Sequence, residues 1–158
     1  MQIAKLLKPA RIACRQDGSS KKRALESLST QLASDLQGFT DGEIFDSLIG
    51  RERLGSTGLG KGVALPHGRM KGLDAPVAAL LTLAEGIDYD AIDNQPVDLL
   101  FALLVPDEST DEHLKILAQL AEMFSNADFC SRLRKSTDSK DCLDLITHWN
   151  AQHQQLSA

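Results

Sequence analysis

The stretch Val97–Pro106 reads VDLLFALLVP, and the fold turns on whether it is a strand or a helix. Leu and Ala form helices readily. However, Pro96 and Pro106 bracket the run, and its 10 residues are few for a buried helix. A short, continuously apolar run bounded by turn residues is what a strand buried on both faces requires. Pro76–Ala84, PVAALLTLA, carries the same signature. Two such runs predict the centre of a buried sheet.

Outward from the strands, the pattern changes to helical spacing. Ala24, Leu25, Leu28, Leu32 and Leu36 predict a helix over 19–36, although Lys21, Lys22 and Arg23 in its first turn oppose the helix dipole. Thr40 and Glu43 form a capping box for a second helix, with Ile44, Phe45, Leu48 and Ile49 on one face and an end within 51–54. Ser109 and Glu112 offer another box for a helix running through Leu114, Leu117, Leu120 and Phe124. Shorter helices are expected over 127–134 and 139–149, and the last residues, AQHQQLSA, are polar enough to fray. Strands flanked by helices at both ends make this an α/β chain with a core sheet covered by helices.

The composition excludes several classes of function. With 158 residues, 42% hydrophobic and 25% charged, one ordinary domain is expected, its core at about 20–147 and 1–18 and 151–158 peripheral. The net charge of -5, with cations scattered apart from KKR at 21–23, gives nucleic acid no footprint. Cys14, Cys130 and Cys142 lack metal-ligand spacing, and their odd number fits a reducing compartment better than a disulfide framework. No signal-peptide run and no long apolar segment is present, so a cytoplasmic protein without membrane insertion is expected.

The chemistry is concentrated in Gly55–Gly68, GSTGLGKGVALPHG. Its left half satisfies the GxxxxGK part of a nucleotide-binding loop. Gly62 then stands where Ser or Thr should bind magnesium, and VALPHG cannot open a helix. Nor does Asp107 supply a magnesium ligand at the end of a strand, because Pro106 intervenes. Read from the other end, the glycines let backbone approach an anion, Val63–Leu65 forms a short strand, and Pro66 fixes the approach to His67. A neutral imidazole is a nucleophile that accepts and passes on a phosphoryl group. A structural histidine in a loop is the other reading of the same residue.

Further residues bear on that choice. His113 aligns with Leu117, Leu120 and Phe124 at spacings of 4, 7 and 11, at the open end of a buried stripe and near a helix N-terminus. It is either a hydrogen-bond donor to a phosphoryl oxygen or a satisfied, partly buried histidine. His148 and His153 read as structural or solvated. Ser56 and Thr57 lack a GxSxG context, so they are loop hydrogen bonders or, with Gly68, phosphate-binding groups. No HxxxH pairing marks a metal site, although Asp107 or Glu112 could complete one on paper. Neither metal nor cofactor is expected.

Four ordered blocks, RERLGSTG, GLGKGVALPHG, AIDNQPVDLLFALLVP and HLKILAQLA, lie within about 20–147. Through them the chain resembles the fructose/mannitol-type IIA (EIIA type-2) phosphocarrier domains of the bacterial phosphoenolpyruvate-dependent phosphotransferase system, its nitrogen-regulatory members above all. The resemblance implies a three-layer α/β/α sandwich with a mixed central β-sheet, and a phosphotransferase-type carrier rather than a metal- or nucleotide-dependent enzyme. It implies that His67 is the phosphoryl acceptor, forming a tele-phosphohistidine, that His113 supports it, and that Arg51 neutralises the group's charge. The implied donor is the histidine phosphocarrier of the nitrogen branch. The implied targets of regulation include potassium-transport and sensor-kinase components. A sugar-specific IIA passing phosphate to a IIB domain, and an interaction module that no longer accepts phosphate, are the alternatives. Lys61 departs from the regulatory pattern, either adding charge to the phosphate pocket or facing solvent.

Overall fold

The order of elements in the computed structural model, which describes residues 2–108 and 111–154, is strand, two helices, five strands and three helices, preceded by two short 3-10 turns. The strands are β1 (Ile12–Gln16), β2 (Gly58–Gly60), β3 (Val63–Ala64), β4 (His67–Met70), β5 (Val77–Ile87) and β6 (Val97–Pro106). The helices are α1 (Lys21–Ala33), α2 (Asp41–Glu52), α3 (Asp111–Phe124), α4 (Ala127–Lys135) and α5 (Ser139–Gln154). VDLLFALLVP is therefore a strand. Antiparallel β5 lies on one side of it, with Leu80 opposite Phe101, and parallel β3 and β4 lie on the other. β1 runs parallel to β5 at one sheet edge, and β2 pairs antiparallel with β3 at the other, so the sheet is mixed.

Alternation along β6 divides the core in two. Leu99, Phe101, Leu103 and Val105 face the layer of α3, α4 and α5, among Ile116, Leu120, Leu133 and Ile146. Leu100, Ala102 and Leu104 face α1 and α2, among Leu25, Leu28, Ile44 and Leu48. Both faces are covered, which is why neither sequence alternation nor a polar face is visible in this strand. Each fully buried leucine contributes roughly 1.5–3 kcal/mol. This is the three-layer α/β/α architecture that the sequence resemblance implies.

Three helices have capped N-termini, and the cap of α2 is the one expected from the sequence. Ser20 caps α1, its hydroxyl accepting from Arg23 N at 3.1 Å, and the Thr40–Glu43 capping box opens α2. Asn126 caps α4, accepting from Phe129 N at 2.9 Å. Ser109, expected to cap the following helix, lies outside the described residues. Three strands, β1, β2 and β4, were not legible in the sequence, and His67 stands at the start of a strand instead of within a loop. β3 and β4 share one register on β6: Val63 pairs with Leu99 and His67 with Leu103. They form a single track beside β6, interrupted at Leu65–Pro66, where proline has no N–H to donate.

Candidate functional site

The same period of two that divides the core aims the residues of β3 and β4. Val63 and Leu65 face the α3 layer, and His67 follows them on that face. Gly68 faces the other way, onto α2. A Cβ built on Gly68 would lie 2.2 Å from Ser47 Oγ and 3.2 Å from Ser47 Cβ, so glycine permits the close seat of β4 on α2. Ser47 Oγ donates to Arg69 O at 3.1 Å and secures that seat.

His67 is half-buried, and its Nδ1 lies 2.8 Å from Leu65 O. A carbonyl only accepts, so Nδ1 carries the hydrogen and Nε2 keeps the free lone pair. The His113 ring, from the third residue of α3, lies edge-on to it, with centroids 5.2 Å apart and planes at 69°. His113 is buried, and neither of its ring nitrogens has a hydrogen-bond partner among the described residues. Burial holds both imidazoles below their ordinary pKa, reinforced at His67 by the charge of Arg51 and at His113 by His67 and Arg69. Both rings are therefore neutral at pH 7.

Arg51, in the last turn of α2, donates to Gly55 O at 2.9 Å. It shares with His67 a cavity of about 360 Å³, whose far wall is Leu117, Ala118 and Ala121 of α3. Ser56 and Thr57 also line it, but their side chains are engaged in building the loop. The Ser56 hydroxyl donates to Tyr89 O at 3.1 Å and accepts from Gly58 N at 3.1 Å. Thr57 donates to Glu52 through its N–H, at 3.1 Å, and through its hydroxyl.

Glu52 was missed in the sequence reading. It is buried at the end of α2, where Lys21 Nζ meets its Oε1 at 3.0 Å. The Thr57 hydroxyl hydrogen goes to Glu52, so Tyr89, 3.3 Å away, donates to Thr57 Oγ1 in turn. Lys21 lies 4.5 Å from the centre of the Tyr89 ring, a cation–π contact. One of the three cations that oppose the helix dipole at the start of α1 thus braces the Ser56–Gly58 loop, which lines the cavity with Arg51 and His67. The only sequence signal was that apparent misfit.

Lys61 and Gly62 form the two-residue turn between β2 and β3, both with positive φ, +57° and +85°. This is the backbone of a tight hairpin turn, for which lysine is an unusual choice. Lys61 N donates to Asp93 at 2.8 Å, and Lys61 O accepts from Arg134, whose Nε also holds Asp98. The Lys61 side chain is exposed and does not line the His67 cavity, so it faces solvent. His148 and His153 lie on α5, away from His67, and the His153 ring stacks on Trp149. Among the described residues no group of three or more His, Cys, Asp and Glu could hold a metal ion.

The family model described as "Phosphoenolpyruvate-dependent sugar phosphotransferase system, EIIA 2" matches residues 5–149. The chain belongs to this family. A nitrogen regulatory protein of Pseudomonas aeruginosa is 42% identical over 146 residues, covering 92% of this chain and 95% of that protein. The crystal structure of nitrogen regulatory protein IIA-Ntr from Neisseria meningitidis matches with a TM-score of 0.87 and 35% identity, over 93% of this chain and 100% of that one. IIA mannitol from Escherichia coli matches with a TM-score of 0.71 and 19% identity, over 89% and 98%, and shares the fold. In this EIIA 2 chain the two neutral histidines and Arg51 come from three separate elements, β4, α3 and α2. No helix among the described residues is long and apolar enough to cross a membrane.

Proposed function

We propose that this EIIA 2 chain is a phosphocarrier of the nitrogen-related phosphotransferase system, accepting a phosphoryl group on His67 and regulating partner proteins by its phosphorylation state. The observation that carries the reading is His113: a buried imidazole with both nitrogens unpartnered, edge-on to the ring of His67. An unmade hydrogen bond in a buried site costs about 1–3 kcal/mol. A phosphoryl oxygen on His67 would remove that cost by accepting from His113.

The transfer follows from the tautomer. The donor is a phosphohistidine of the nitrogen branch's phosphocarrier. The Nε2 lone pair of His67 attacks phosphorus as the donor's N–P bond breaks, and the electron pair of that bond returns to the donor imidazole. Leu65 O holds the Nδ1 proton and stabilises the positive charge that the ring gains. Arg51 and the His113 N–H stabilise the oxygens in flight. Ser56 and Thr57 line the cavity around His67, Gly68 seats β4 on α2, and Ser56 donates to phosphate only by releasing Tyr89 O.

Docking of a protein donor is supported by large apolar side chains left exposed beside these residues in the chain. Leu54 is 83% exposed, Leu59 45% and Leu114 60%. Regulated partners of the potassium-transport or sensor-kinase type, and a cytoplasmic place of work, belong to this reading. Incubation with phosphoenolpyruvate, enzyme I and the phosphocarrier should add one acid-labile phosphate to the parent protein and none to His67→Ala. Equal labelling of both proteins would remove His67 from the reaction, and no labelling of either would leave an interaction module of this fold.

A further inference from the structure

We propose that Cys14 and Cys142 form a modification site, in which a hydroperoxide converts the two thiols into an intramolecular disulfide tying β1 to α5. Their sulfurs lie 3.2 Å apart although the residues are 128 positions apart in the chain. Both thiols are free in the structure. A disulfide bond of about 2.05 Å is about 1 Å shorter than this separation, a closure within reach of small side-chain rotations. Cys130, the third cysteine, has a different partner: its Sγ donates to Phe124 O at 3.2 Å.

The surroundings order the two steps. Cys14 is half-buried, whereas Cys142 is fully buried in the first turn of α5. Burial, then the neighbouring Cys14, pushes the Cys142 thiol up to about 12, so the first oxidation falls on Cys14. The Cys14 thiolate attacks one peroxide oxygen. The O–O bond breaks, leaving a sulfenic acid on Cys14 and releasing water or an alcohol. The Cys142 sulfur then attacks the Cys14 sulfur. An S–S bond forms, the S–O bond breaks, and the departing hydroxide takes the Cys142 proton as water. Two thiols lose two electrons in all, and one peroxide gains them.

The location gives the bond its consequence. β1 is an edge strand, separated by β5 and β6 from β4 and His67. On α5, Asn150 Oδ1 also accepts from Ala4 N at 2.8 Å, so this helix clasps the N-terminal segment that leads into β1. A disulfide makes that clasp covalent and leaves the phosphoryl site untouched. It holds whether or not His67 carries phosphate.

The test exposes the folded parent protein to hydrogen peroxide, blocks remaining thiols, and reads intact mass and non-reducing peptide maps. The expected result is a monomer lighter by two hydrogen atoms, with the Cys14 and Cys142 peptides joined and released by dithiothreitol. Cys130→Ser should behave as the parent, and Cys14→Ser and Cys142→Ser should form no such link. The parent's peptide map alone decides the matter if a serine variant misfolds. An unlinked Cys14 advancing to the sulfinic acid, a bond involving Cys130, or only intermolecular dimers would overturn the proposal.

Discussion

At the scale of single residues, the proposed role of His67 as nucleophile draws on one backbone carbonyl and on burial. Leu65 O fixes the tautomer, and the low pKa keeps the ring uncharged. Folding therefore opposes protonation of His67 and His113. The unfolded chain takes up protons near the ordinary value of about 6.5, and the folded chain only below it. Stability contributed by these rings is present above that value and is lost as pH falls through it. Urea unfolding should show lower stability at pH 5.5 than at 7.5, with a smaller drop in His113→Asn than in the parent. An identical drop would show that His113 is protonated within the fold.

In the proposed transfer Arg51 acts on the group in flight, so Arg51→Gln should slow His67 labelling by about 10²–10³-fold while leaving the fold intact. Single-turnover labelling measures this, and a rate within a few-fold of the parent would assign the charge stabilisation elsewhere. The sequence puts His67 and His113 forward as candidates through the short strings they stand in, and Arg51 through the family resemblance of RERLGSTG. Glu52 was not legible. A carboxylate beside an arginine near a helix end looks like surface, and only the tertiary structure shows it buried under Lys21, Thr57 and Tyr89.

At the scale of elements, the site depends on a strand interrupted without loss of register. β3 and β4 continue along β6 across Leu65–Pro66, and alternation sends His67 toward α3 and Gly68 toward α2. Gly68→Ala should force β4 away from α2 and cost about 1–3 kcal/mol, read from the urea midpoint. A neutral result would mean that Ser47 yields freely. Glu52 ties α1, α2 and the loop at Ser56–Gly58 together. Glu52→Ala leaves Lys21 without its partner and should cost about 3–5 kcal/mol, with slower labelling of the protein that remains folded. Unchanged stability would show that the network adds nothing net to the fold.

Capped helices and doubly buried strands were legible at this scale because their signals are local. β1 was not, since IACRQ is short, turns polar after three residues and is a strand only because β5 lies beside it. β2 and β4 were obscured by glycines that read as loop. Gly62 instead permits the turn between β2 and β3, and Gly68 the close approach of β4 to α2.

At the scale of the whole molecule, β6 is the common support. It carries β3 and β4 on one side and β5 on the other, and its alternating residues join the two helical layers. Leu100→Ala should remove about 2–5 kcal/mol of stability, seen by denaturant unfolding, without changing the labelling rate of folded protein. A changed rate with unchanged stability would mean that the α1–α2 core tunes the site directly. The mixed order of the sheet was not readable from strand patterns alone, because hydrophobic runs say that a strand is buried and not which strand lies beside it. Family resemblance supplied that part.

The proposed transfer is to Nε2 of His67, and phosphorus NMR of the phosphorylated protein, with the phosphopeptide mapped, tests it most directly. A single phosphoramidate at Nε2 of His67, absent from His67→Ala and retained at a slower rate of formation in His113→Ala, is the predicted result. Phosphate on Nδ1, or on His113, would contradict it.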